Sequence, residues 1–98
     1  MQFLIKATDG ANMLPQRLAV RPRHLENMAQ VKGTVLCAGG LLDEAGKMCG
    51  SVLLLDVERR EDLEAYLRSE PYVAAGVWEK IEVEPLNVVL VNGQKLGN

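Results

Sequence analysis

The sequence predicts an α+β fold of β-α-β-β-α-β order, with two helices covering one face of a four-stranded antiparallel sheet. Two observations lead there. Stretches of strand composition at 2–8, 34–42, 50–57 and 77–91 are separated by stretches of helical spacing at 12–32 and 58–69. The two middle strands are joined by the polar, glycine-containing "DEAGKMC", which makes them a hairpin.

In chain order, "QFLIKAT" has strand composition and stops at Asp9-Gly10, a turn signal. From Asn12 to Lys32, Leu14, Leu18, Leu25, Met28, Ala29 and Val31 recur mainly at three- and four-residue intervals, and Gly33 follows the end. Pro22 predicts a break near Val20-Arg21, with a short helical turn before it and a helix over about 22–32 after it. "TVLCAGGLL" and "GSVLLLDV" form the hairpin, and the unbroken apolar run Val52–Leu55 marks a central strand. "ERREDLEAYLRS" places Leu63, Tyr66 and Leu67, with Val57 ahead of them, on one apolar face, and Pro71 helps to end that helix. "VWEKIEVEPLNVVLV" supplies the last strand, in which Ile81 and Val83 alternate with charges, and "NGQKLGN" follows as a tail that is frayed or bound to a partner.

This order is the ferredoxin-like split β-α-β arrangement in a single domain spanning 1–98. Its two helices leave the second face of the central strands uncovered, and apolar surface left in water costs about 25 cal/mol per Å². A homodimer packing sheet on sheet removes that exposure.

Composition excludes several functions. A formal charge of −2, with 11 basic residues scattered along the chain, offers no electropositive face for nucleic acid. No run of about 20 apolar residues exists to cross a membrane. Lys6 and Asp9 interrupt the N-terminal apolar stretch too early for a signal peptide, so a cytoplasmic location is expected. Cys37 and Cys49 lack the spacing and histidines of a zinc site; they read as unbonded, buried packing residues and, on the two hairpin arms, as cross-strand neighbours. No metal site, phosphate loop or dinucleotide motif is present, and no cofactor is expected.

The only histidine, His24, lies in "RLAVRPRHLENM" among Arg17, Arg21 and Arg23. An imidazole can accept and return a proton near neutral pH, and arginines can hold a carboxylate or enolate oxygen. Arg17 and Arg21, four apart, can share a side of the helix, with Arg23 facing solvent or pairing with an acidic neighbour. Each of these residues equally fits a solvated helix surface. Gly39 and Gly40 either admit a ligand to the backbone or permit a bulge. Ser51 either bonds a substrate or satisfies a strand end. Tyr72 and Trp78 either line the same pocket or pack the core.

These stretches, with "LCAGGLLDEAG", "GSVLLLDV" and above all "EPYVAAGVWEKIEVEPLNVV", resemble the YciI-like family over about residues 2–90. That family consists of small dimeric α/β-barrel proteins related in fold to muconolactone isomerase. The resemblance implies an acid/base pair in a cleft between sheet and helices, formed by a histidine on the first helix and an aspartate before a proline. These map onto His24 and Glu70. Glutamate thus replaces the usual aspartate, and Gly40 stands where the family's loop often has a proline after glycine.

Two functions follow. The first is a cofactor-independent isomerase, lyase or dehydrohalogenase acting on a small phenolic or acidic molecule. There His24 is the base, Glu70 its orienter, Arg17, Arg21, Gly39, Gly40, Ser51 and Tyr72 bind substrate, and Arg21 or backbone near Gly39 steadies developing negative charge. The second is a non-catalytic dimeric module that binds a small ligand or a partner protein through the same pocket.

Overall fold

A computed structural model describes residues 1–96. β1 (Gln2–Asp9) is followed by α1 (Leu14–Ala29), the hairpin β2 (Thr34–Leu42) and β3 (Met48–Asp56), α2 (Arg60–Ser69), a single turn α3 (Pro71–Ala74) and β4 (Trp78–Leu86). A small hairpin, β5 (Leu90–Val91) and β6 (Gln94–Lys95), closes the described chain.

The four long strands form one antiparallel sheet in the order β2-β3-β1-β4, the α+β architecture expected of the sequence. Period-two alternation decides which face is covered. On the helix side Phe3, Ile5 and Ala7 of β1 lie opposite Leu55, Leu53 and Ser51 of β3, and all six are buried. Val20, Val57, Leu63, Tyr66, Tyr72, Val77 and Trp78 complete this core. A fully buried side chain of this kind contributes about 1.5–3 kcal/mol. On the other side Lys6 lies between Val52 of β3 and Glu82 of β4, and Leu4 between Leu54 and Glu84. No segment of the described chain buries Val52, Leu4 or Leu54 fully.

Several local expectations are corrected. Pro22 does not break the first helix, which runs unbroken through it. Its ring and Leu18, whose carbonyl loses its i+4 donor there, both lie on the solvent side, so the freed carbonyl is not stranded in the core. The buried positions of α1 are Arg17, Val20 and His24, one face at intervals of three and four, whereas Leu18 and Leu25 are exposed. Cys37 is exposed and pairs with Leu54; Cys49 is half-buried and falls in the irregularity between Leu41/Gly50 and Leu42/Met48. The two are unbonded, but neither packs the core nor faces the other. β3 begins at Met48 rather than Gly50, because the Asp43 carboxylate accepts the Ala45 and Lys47 N–H groups and tightens the hairpin tip.

The last long strand also stops early, at Leu86 rather than residue 91. Val88 then donates its N–H to the Gln2 side chain, and Asn92 and Gly93, both at positive φ, turn β5 into β6. Asn-Gly is the pair that suits a tight hairpin turn of this hand. The segment expected to be a tail is therefore structured up to Leu96, and Gly97 and Asn98 lie outside the described residues.

Candidate active site

Pro71 determines where the site forms. A residue before proline avoids helical backbone, so α2 ends at Ser69 and Glu70 takes an extended conformation, φ −68° and ψ 118°. The chain then restarts as α3, with Glu70 as its N-cap: Oε1 accepts the Tyr72 N–H at 3.1 Å. This turn sends the Glu70 side chain inward, where it is 0% exposed. Helix α1 presents His24 to it. Nδ1 of His24 lies 2.7 Å from Oε1 of Glu70, and the Tyr66 hydroxyl donates to Oε2 at 2.6 Å.

The imidazole is held on its faces as well as at its edge. The Tyr72 ring stacks on it with centroids 4.1 Å apart and planes 22° from parallel, and Trp78 meets it edge-on at 5.8 Å. Burial pushes the Tyr66 phenol far above its ordinary value, with the hydrogen bond and charge of Glu70 adding to the rise. Burial also pushes Tyr72 up, against the pull of Arg17 and Arg21. Both phenols therefore stay protonated, and the Tyr72 hydroxyl is buried without a partner among the described residues.

Two turns earlier on the same face of α1 stands a second buried pair. Nη1 of Arg17 lies 2.9 and 3.1 Å from the two oxygens of Asp9, at the end of β1, and Nη2 donates to Ser51 Oγ at 2.7 Å. The Trp78 indole N–H also donates to Ser51, at 3.3 Å. The Arg17 guanidinium lies over the Tyr72 ring, 4.8 Å from its centroid, which joins the two pairs through one aromatic. Burial raises the Asp9 carboxyl from its ordinary value more than Arg17 lowers it.

A cavity of about 100 Å³ opens between α1 and strands β2 and β3. Arg17, Arg21, His24, Gly39, Gly40, Ser51 and Tyr72 all line it, whereas Glu70 lies behind the histidine. Arg21 is exposed and has no salt bridge among the described residues. Both irregularities of β2 fall elsewhere, between Val35 and Cys37 and between Leu41 and Leu42. A Cβ on Gly39 would meet nothing within 4 Å, whereas one on Gly40 would come within 2.9 Å of Met48 Sδ.

Sequence reading missed Asp9, taken only as a turn signal, and Tyr66, taken as packing. The signal for Tyr66 was its i, i+4 spacing from Glu70. Asp9 carried no such local signal. Among the described residues no group of His, Cys, Asp and Glu could hold a metal ion, and no helix is long and apolar enough to cross a membrane.

The fold and this site can be set beside known proteins. A structure of 5-chloro-2-hydroxyhydroquinone dehydrochlorinase from Burkholderia phenoliruptrix AC1100, in complex with 2,5-dihydroxybenzoquinone, superposes with a TM-score of 0.80 at 24% identity. It covers 89% of this chain and 94% of that one, which shows a shared fold. Protein YciI of Escherichia coli O6:H1 is 36% identical over 97 residues, covering 91% of this chain and 99% of that protein. An uncharacterized protein of Haemophilus influenzae is 34% identical over 98 residues, with the same coverage. The model of the YCII-related domain matches residues 1–87, and the chain therefore belongs to the YciI family.

Proposed function

We propose that the cavity is the active site of a cofactor-independent acid/base enzyme of the isomerase, lyase or dehydrohalogenase type, acting on a small hydroxylated ring compound. The observation that carries this reading is the buried contact of 2.7 Å between His24 and Glu70, set behind a cavity that also receives a free arginine. A carboxylate at Nδ1 favours the tautomer with the proton there, which leaves the Nε2 lone pair as the base. Nε2 removes a proton from substrate, and the electron pair moves into the ring system toward an oxygen near Arg21. The intermediate then either expels a leaving group such as halide from the adjacent carbon or takes the proton back at another position. The Glu70 carboxylate at Nδ1 stabilises the imidazolium formed in between.

Ligand size and charge support the same class. The cavity suits one ring rather than a nucleotide, and Arg21 suits a phenolate or carboxylate. The similarly folded dehydrochlorinase acts on a chlorinated hydroxyhydroquinone and binds a dihydroxybenzoquinone, which makes such rings the first compounds to try.

A second copy of the chain is the proposed cover for the half-buried Leu4, Val52 and Leu54 on the outer sheet face. Sedimentation equilibrium at micromolar concentration should give the dimer mass; only the monomer mass would overturn the assembly.

The test of function is a panel of hydroxylated, chlorinated and carboxylated rings, including 2,5-dihydroxybenzoquinone, screened by thermal shift on the native protein and on His24→Ala. Hits are followed for chloride release or for deuterium uptake from heavy water. Turnover lost in His24→Ala is the expected result. Binding retained without any turnover in the native protein would instead make the chain a binding module.

A further inference from the structure

We propose that Tyr66 is a positioning residue whose hydroxyl holds Glu70 in the one rotamer from which its other oxygen reaches His24. The proposal rests on the acid/base reading above and adds a residue that the cavity itself does not contain.

The geometry is a triangulation. Oε1 of Glu70 serves two groups, the His24 ring at 2.7 Å and the Tyr72 N–H at 3.1 Å. Oε2 has one donor among the described residues, the Tyr66 hydroxyl at 2.6 Å. Glu70 is 0% exposed and Tyr66 3%, so bulk water does not reach Oε2 while the tyrosine is in place. The three donors come from three elements: α1 supplies His24, α2 supplies Tyr66 and the backbone of α3 supplies Tyr72. Tyr66 itself is anchored in the core cluster.

Glutamate needs this third anchor because its side chain has one more torsion than aspartate. With Tyr66 absent, Oε2 would be a buried acceptor with no donor, and the carboxylate would turn to find one. The nearest source is water from a second cavity of about 270 Å³, which Tyr66 lines with Asn27, Asp62 and Ser69. Turning toward it takes the fixed acceptor away from Nδ1. Burial, with the hydrogen bond and charge of Glu70, raises the Tyr66 phenol above its ordinary value, so Tyr66 remains a donor at neutral pH.

The test reads the ring of His24 directly by ¹⁵N NMR at a pH where it is neutral, and needs no substrate. The native protein should show a single tautomer with its proton on Nδ1 and a slowly exchanging Hδ1 resonance. Tyr66→Phe should lose that resonance to exchange and mix the tautomers while amides far from the site keep their shifts. With Glu70→Asp the shorter carboxylate cannot reach the Tyr66 hydroxyl while serving His24, so adding Tyr66→Phe to it should change nothing further. Unchanged ring signals in Tyr66→Phe, or an equal disturbance in both backgrounds, would overturn the proposal. Should Tyr66→Phe not fold, 3-fluorotyrosine at position 66 makes a stronger donor within the same shape. It must move the Hδ1 resonance, and a stationary resonance overturns the proposal as well. A native protein that turns over no substrate in the panel would remove the enzyme reading without touching these ring measurements.

Discussion

Two acid–base pairs lie side by side beneath α1, and they differ in what they can do. Arg17 meets Asp9 and His24 meets Glu70, each at hydrogen-bonding distance, and all four side chains are nearly excluded from water. Arginine stays charged at every attainable pH, so the cation of the Arg17–Asp9 pair is permanent. Its guanidinium is also shared with Ser51. Histidine can give up its proton within the ordinary pH range, so the second pair has two usable states. Burial of charge therefore does not by itself distinguish a candidate site. What distinguishes this one is a group that changes protonation and borders a cavity. Between Arg17 and His24 along α1 stands Arg21, exposed and unpaired among the described residues, on the wall of that cavity.

The largest expected effect tests the permanence of the first pair. Asp9→Asn strands a guanidinium that cannot neutralise itself and should lower unfolding free energy by about 3–5 kcal/mol in chemical denaturation. Glu70→Gln should lower it less, by about 1–3 kcal/mol, because His24 can discharge and an amide can still meet the Tyr66 hydroxyl. Equal losses in the two variants would erase the distinction drawn between the pairs.

Arg21→Ala sharpens the comparison from the ligand side. Stability should stay within about 0.5 kcal/mol, since the residue is exposed and holds nothing in place. Affinity for an acidic ring such as 2,5-dihydroxybenzoquinone, measured by calorimetry, should fall about tenfold, the loss expected for one hydrogen bond to a charged group. An unchanged dissociation constant would place the anion elsewhere in the cavity.

The smallest effect at neutral pH concerns the tyrosines that brace the second pair. Both of the chain's tyrosines have phenols raised by burial from the ordinary 10.0. An acid whose folded value is raised contributes stability that is fully present below its unfolded value and is lost as pH rises toward the folded one. Stability should therefore be independent of these phenols below pH 10 and fall above it. The near-ultraviolet tyrosinate band should appear only together with unfolding. A band that grows near pH 10 in the folded protein would show a tyrosine open to water.

How much could be read in advance depended on the range of the interaction. Local patterns were enough for the order of elements. Phe3, Ile5 and Ala7 alternate as a covered strand must, Pro71 ends α2 through the backbone of its neighbour, and the apolar run at Val52–Leu55 lies in an interior strand of the sheet. The "RPRH" and "PYVAAGV" blocks were enough for the family. The Asn92-Gly93 turn was equally local but was passed over as tail.

The buried face of α1 was not legible in the same way. Periodicity reports where apolar residues recur, and on this helix it pointed to Leu14, Leu18 and Leu25, whereas the interior takes Arg17, Val20 and His24. A charged side chain loses its hydration on burial and is stable there only if a partner replaces it. Most of those partners lie far off in the chain: Glu70 is 46 residues from His24, and Ser51 is 34 from Arg17, although Asp9 is only 8 away. By itself the sequence determined the order of the four long strands and two main helices, the end of α2 before Pro71 and the kinship of the chain. Only the tertiary structure decided which polar groups go inside, because the free energy that permits their burial exists only once distant elements have met.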